Sequence, residues 1–187
     1  MSNAFKPVSY TALANVASVS TSSSSTGAFA PKSHASVCRI TSSVSGYINI
    51  ASQAADPTAD VTNLYISASD PVHIKLDTKR GEISSITDPG SGSTTVVLSQ
   101  PDNGTAHDFV VGDLIVIENT TNYDSYAVGG STLPVVTAVV NSSAFTIATS
   151  GGAIAENTSG TVRKAYKMAI KGTGSGVASV HEVTLQG

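Results

Sequence analysis

The side chains able to carry acid–base, nucleophilic or metal chemistry are few and dispersed. Four histidines, His34, His73, His107 and His181, never come close to one another along the chain. A tetrahedral zinc site draws on several ligands, usually with two close in sequence, and no such pair exists here. His73 and His181 fall in segments able to pair as strands, whereas His107 follows a turn and reads as turn packing. Asp56, Asp60, Asp102, Asp108 and Asp113 offer oxygens for Ca²⁺, yet none sits in a regular twelve-residue acidic loop. Asp56-Pro57 and Asn103-Gly104 are better read as turn formers, since Pro presets φ near about −65° and Asn-Gly accepts positive φ.

Nucleophilic and carboxylate catalysis fare no better. Serine is abundant, but none stands in a Gly-x-Ser-x-Gly elbow beside a base. Glu82, Glu118, Glu156 and Glu182 join the aspartates as candidate carboxylates for glycoside cleavage, with no spacing that selects a pair. Tryptophan is absent, which leaves Tyr47, Tyr65, Tyr123, Tyr126 and Tyr166 as the aromatic platforms for a sugar ring. The glycine run at Gly172–Gly176 is followed by a strand-like stretch, not by the helix whose N-terminus holds a phosphate, so it reads as a hairpin turn. Cys38, the single cysteine, permits no internal disulfide and no multi-cysteine metal site, and reads as a small buried hydrophobe. The expectation is a protein with no catalytic residue, no metal and no cofactor.

The elements that carry these residues are short strands. Ser and Thr number 29 and 21 of 187 residues, while charged residues are only 12% against a usual ~25%. A net charge of −3 with a mean hydropathy of +0.11 favours a folded chain over a disordered one. Lys and Arg are scattered rather than gathered into a basic face, which argues against nucleic acid. No run reaches the ~18 apolar residues of a spanning helix, and the first residues lack the charged start and continuous apolar core of a secretory signal. Gly, Pro, Asn, Asp and Ser cut the chain into segments rich in Val, Ile, Tyr and Thr, the pattern of an all-β protein.

Strands are expected near Ser36–Thr41, Gly46–Ala51, Asn63–Ser67, Val72–Leu76, Glu82–Ile86, Thr94–Ser99, Asp113–Glu118, Leu133–Val140, Ala144–Ala148, Val162–Ile170 and Val177–Leu185. Alternation places Cys38 and Ile40 on one side and Val37, Arg39 and Thr41 on the other. Residues 1–34 fit neither helix nor core cleanly and contain a Ser-rich stretch, Thr21 to Thr26, so they read as an extended N-terminal arm. An arm of this kind is fixed by something it lies against, and a neighbouring subunit is the economical choice.

Two stretches resemble known families. The first runs from about Thr21 to Ile86 around SHASVCRITSSVSGYINIASQAADPTADVTNLYISASDPVHIKL. It resembles small β-sandwich proteins among tailed-phage structural genes in its Ser/Thr-rich lead, its Val37-Cys38-Arg39-Ile40 strand and its ADPTADVTN loop. The second runs from about Ile83 to Thr149. It is similar to a small β-barrel module of phage virion proteins, itself related in pattern to the first catalytic-cysteine half-domain of ubiquitin-activating enzymes. The elements that carry this likeness are Ile83–Ile86, Thr94–Leu98, Ala106–Phe109, Val111–Ile117, Pro134–Val140 and Phe145–Ile147. The loop TTNYDSYAVGGSTLP departs from the compact turn of that module, and no catalytic cysteine lies within it.

Together the resemblances imply an arm over 1–34, a β-sandwich from 35–87 plus 162–187, and an inserted β-barrel over 88–161. They imply a non-enzymatic structural component of a tailed-phage virion, assembled in a bacterial cytoplasm. A capsid decoration or cement protein binding the major capsid protein or other virion subunits is the leading expectation. It would be a homo-oligomer, for instance a trimer, with no nucleic-acid or membrane partner. The alternatives are a neck or tail component and a carbohydrate-binding surface module. Phe5, Val8, Tyr10, Leu13, Val16 and Phe29 are the expected partner anchors of the arm, and Tyr123 and Tyr126 the expected tips of an outward loop.

Overall fold

The computed structural model describes residues 8–32, 37–90, 92–101, 106–121, 123, 132–148 and 154–185. Among them the chain is all-β, built of strands, turns and loops without a helix, in three antiparallel sheets. The first sheet runs in the order β1 (Val8–Val19), β15 (Gly176–Leu185), β3 (Val37–Ser42), β6 (Val72–Lys75). The second runs β2 (Ser24–Ser25), β14 (Lys167–Gly172), β4 (Gly46–Ala51), β5 (Leu64–Ile66). The two form a small β-sandwich whose filling is Val16, Val19, Cys38, Ile40 and Val180 from one sheet and Ile48, Ile66, Met168 and Ile170 from the other. Alternation is the cause: Cys38 and Ile40 turn inward while Val37, Arg39 and Thr41 do not. Each large aliphatic so covered contributes about 1.5–3 kcal/mol of hydrophobic stabilisation.

The third sheet runs β10 (Val136–Asn141), β11 (Ala144–Ala148), β8 (Ser93–Pro101), β7 (Arg80–Asp88), β13 (Thr161–Lys164), β9 (Ile115–Glu118), with β12 (Ile154–Asn157) also on β7. It wraps a second core of Ile83, Ile86, Val96, Phe109, Ile117, Phe145 and Ile147 among others. It is not the closed barrel expected. Its end strands β9 and β10 meet through one isolated bridge, Leu114 to Val135, because β9 is four residues long and the stretch after His107 lies beside β10 instead. There the His107 N–H donates to the Ser142 carbonyl and the Gly112 N–H to that of Val136.

Two expected boundaries move. β7 and β13 belong to the third sheet, so that module spans 80–164 and not 88–161. The expected strand Val162–Ile170 is two strands, β13 and β14, parted at Ala165-Tyr166 where the chain passes from the third sheet to the sandwich. The other change is larger. Residues 8–25, expected as part of an arm without a core, supply strands to both sandwich sheets: β1 pairs along β15, and β2 pairs with β14. Without β1, the long strand β15 would leave one edge unpaired and Val16 and Val19 would not seal the core. The Gly172–Gly176 run is not a hairpin turn within one sheet but the crossing from the second sheet to the first. A Cβ at Gly172 would come within 2.6 Å of the Val19 side chain and 3.0 Å of the Gly174 carbonyl, which requires glycine at this crossing.

Sandwich and third sheet share a small interface of Ala30, Leu114, Val116 and Ala165. The apolar run Leu114–Ile117 explains how. Ile115 and Ile117 face the module's own core while Leu114 and Val116 face the sandwich, so the strand is buried on both sides. Backbone bonds reinforce the contact: the Ala165 N–H donates to the Leu114 carbonyl at 2.7 Å, and the Leu114 N–H donates to Ser52 Oγ at 2.9 Å.

Candidate functional site

The residues with reactive potential do not converge. Among the described residues no group of three His, Cys, Asp or Glu is arranged to hold a metal ion. His73 on β6 and His181 on β15 do not pair; β3 lies between them, and both stand opposite Arg39. His107 is buried against Phe109 and Phe145, with ring centroids 6.0 and 5.5 Å away, and its Nε2 lies 3.2 Å from the Ala144 carbonyl. It packs a turn. His34 and the Asn103-Gly104 turn lie outside the described residues.

Cys38 is fully buried in the sandwich. Burial, with a smaller contribution from the Glu182 charge, pushes its thiol up to about 12, away from the thiolate that nucleophilic chemistry needs.

The strongest electrostatic feature is structural and lies where the two modules join. The Asp113 carboxylate receives Lys164 Nζ at 2.7 Å, Lys79 Nζ at 3.2 Å and the Val110 N–H at 3.0 Å. Burial pushes its carboxyl up, but the hydrogen bonds from Lys164 and Val110 and the charges of Lys164 and Lys79 outweigh this and hold it below the ordinary carboxylate range. Arg163 does similar work nearby, donating to the carbonyls of Ala30 and Pro31, each at 2.9 Å, and to Glu118. Beside this junction lies a cleft of about 590 Å³ lined by Thr26, Ala28, Asp56, Leu133 and Lys167 among others. Among its described lining residues the one cation, Lys167, is paired with Asp56 at 2.9 Å and donates to the Ala54 carbonyl.

The expected partner anchors separate. Val16 and Phe29 are buried in the chain's own core, and Phe29 exchanges two backbone hydrogen bonds of 2.8 Å with Tyr166. They are corrected from partner anchors to core residues, because β1 and the segment after it close the sandwich. Leu13 is half-buried against the same core. Val8 starts β1, in register with Leu185. Tyr10 is exposed, with the Arg39 guanidinium 5.0 Å above its ring. Phe5 lies outside the described residues. Tyr123 is likewise corrected: it is fully buried in the third-sheet core, its N–H bonded to Thr120 Oγ1 at 2.9 Å, and so gives no outward platform for a sugar. Tyr126 lies outside the described residues.

What the surface offers instead is apolar. Val110 and Val111 on one segment and Val139 and Val140 on β10 are each about half exposed or more, and the two segments run side by side between the His107–Ser142 and Gly112–Val136 bonds. A second exposed group, Val61, Leu64 and Tyr65, lies at and before β5. No single-residue signal marks the valine patch, since V-T-A-V-V reads as an ordinary strand until its pairing is known. Comparisons with protein-family models, with curated proteins and with solved structures return no match.

Proposed function

We propose that the protein is a non-enzymatic structural component of a tailed-phage virion, and specifically one that decorates the capsid by binding the major capsid protein. The observation that carries this reading is the exposed valine patch of Val110, Val111, Val139 and Val140. Exposed apolar side chains gathered on two neighbouring segments of a polar, weakly charged surface favour a protein contact. The Thr21–Ile86 and Ile83–Thr149 resemblances supply the kind of assembly. Repetition of a modest contact over a symmetric lattice supplies the avidity that one copy lacks. The mechanism is binding alone: the patch meets the shell, and the sandwich holds it in place through the junction at Asp113 and Arg163.

The test has two parts. Gel densitometry of purified particles measures copy number, which this reading expects to follow the capsid lattice; a number matching a single vertex moves the protein to the neck or tail, and absence from particles refutes the reading. Co-sedimentation with purified capsids then compares the intact chain with Val111→Lys and Val139→Lys, both of which should lose attachment while keeping the native far-UV spectrum.

A further inference from the structure

Among the described residues nothing pairs with the outer edge of β1: the strand hydrogen-bonds only with β15 and ends its sheet. Exposed strand edges template pairing with other chains, and proteins ordinarily blunt them with charge, proline, brevity or a covering segment. β2 and β5 are two and three residues long, β6 carries Lys75, β9 carries Glu118, and β10 is flanked by the His107–Gly112 stretch. β1 has twelve residues, VSYTALANVASV, without a charge or a proline. Its two register irregularities both lie at or beyond Ala12, so the run from Val8 to Ala12 is regular, and Ser9, Tyr10, Thr11 and Ala12 are all exposed.

Among the described residues a cation stands over that edge. Arg39, on β3, reaches across β15 to place its guanidinium over the Tyr10 ring. The register puts Tyr10, Val183, Val37 and Lys75 in one outward row and Ala12, His181, Arg39 and His73 in the next. Neither row contains a carboxylate. Glu182 faces the buried side, Asp77 is held by Lys79 and Lys164, and Asp70 sits in the turn ahead of β6. The Arg39 guanidinium therefore stands beside Tyr10 near the edge and, among the described residues, has no acid in its own rows to receive its donors.

We propose that the regular half of β1, Val8 to Ala12, accepts an extended strand from another protein, and that this strand carries a carboxylate which pairs with Arg39 beside Tyr10. The backbone edge dictates an extended partner, and a guanidinium with no acid in its rows among the described residues dictates its charge. A second copy of this chain is the poorer occupant. Two β1 strands related by a twofold axis would bring two Arg39 side chains onto the same face, and β1 offers no acid to meet either. The inference rests on the assembly reading for its partner, a neighbouring subunit, but not for its chemistry.

The test uses the full chain and a soluble peptide of alternating threonine and valine with one central glutamate, against the same peptide carrying glutamine or lysine. Hydrogen exchange of the β1 amides and fluorescence anisotropy of labelled peptide are read together. The glutamate peptide should slow exchange in Val8–Ala12 and bind about two- to fivefold tighter than the glutamine peptide, the range of a part-exposed ion pair, with the lysine peptide weakest. Arg39→Gln should erase that preference without abolishing binding, and Thr11→Lys should weaken all three peptides. Absence of protection at β1 overturns the proposal, as does a glutamate preference that survives Arg39→Gln, or sedimentation showing that the chain dimerises through β1. Presence of the protein in particles with β1 amides still exchanging freely would refute this inference alone. Absence from particles with peptide binding intact would refute only the capsid reading.

Discussion

Buried polar and sulfur groups decide the behaviour of single residues here. Cys38 is enclosed by the sandwich and its thiol is held protonated, so it should resist a water-soluble disulfide reagent in the native protein and react fully once urea unfolds it; rapid labelling in buffer would contradict the packing. Asp113 is the opposite case, a buried carboxylate kept charged by Lys164, Lys79 and the Val110 N–H. Its folded-state pKa is depressed, so its contribution is present above the unfolded value of about 3.9 and is lost as pH falls through the lower folded value. Asp113→Asn should cost about 1.5–3 kcal/mol at neutral pH, the range for hydrogen bonds to charged groups. Urea midpoints of wild type and variant should differ by a constant amount from neutral pH to about pH 5, begin to converge below about pH 4, and meet once pH falls below the lower folded value.

Among the elements, β4 and β14 pack so closely that one position has no room for a side chain. A Cβ at Gly46 would lie 2.4 Å from the Lys171 carbonyl oxygen and 2.9 Å from the Gly172 Cα, both backbone atoms that cannot rotate aside. Gly46→Ala should therefore force the β4–β14 pair apart and destabilise the protein by about 1–3 kcal/mol, as overpacking does. Exchange should accelerate in β4, β5 and β14, and equal protection in variant and wild type would contradict the contact. β9 shows the same dependence on neighbours from the other direction. Its apolar run marks a strand locally, but its pairing with β13 and the groups that cover its two faces come from distant parts of the chain.

At the scale of the molecule, two cores are joined by a few polar contacts and a small apolar interface. Arg163 is central to that joint, since one guanidinium ties the Ala30–Pro31 carbonyls to the third sheet through Glu118. Truncation leaves two carbonyls and a part-buried carboxylate without their donor, and losing charged hydrogen bonds of this kind costs about 1.5–3 kcal/mol. Wild type should unfold in one transition by both calorimetry and near-UV signal. Arg163→Leu should split it, the third-sheet module and the sandwich melting apart. A single, merely lowered transition in the variant would mean that the Leu114–Ala165 contact alone couples the modules.

How much of this was legible without coordinates differs from residue to residue. The short Val- and Ile-rich runs between turn residues announced the all-β class, and the alternation through Val37–Thr41 identified Cys38 and Ile40 as inward-facing. The unbroken run Leu114–Ile117 held the signal for a strand covered on both faces, though it did not say by what. The role of residues 8–25 was not legible: Val8, Tyr10, Ala12, Ala14 and Val16 alternate as a strand does, but nothing local says that the partner is β15, more than 150 residues away. Nor was the burial of Tyr123, the separation of His73 from His181 by β3, or the reach of Arg39 to Tyr10. Local periodicity records which side of an element is apolar, because that depends on each residue's own solvation. Which element covers that side depends on pairings between distant strands, whose backbone donors and acceptors are the same in every sequence, and only the folded chain selects among them.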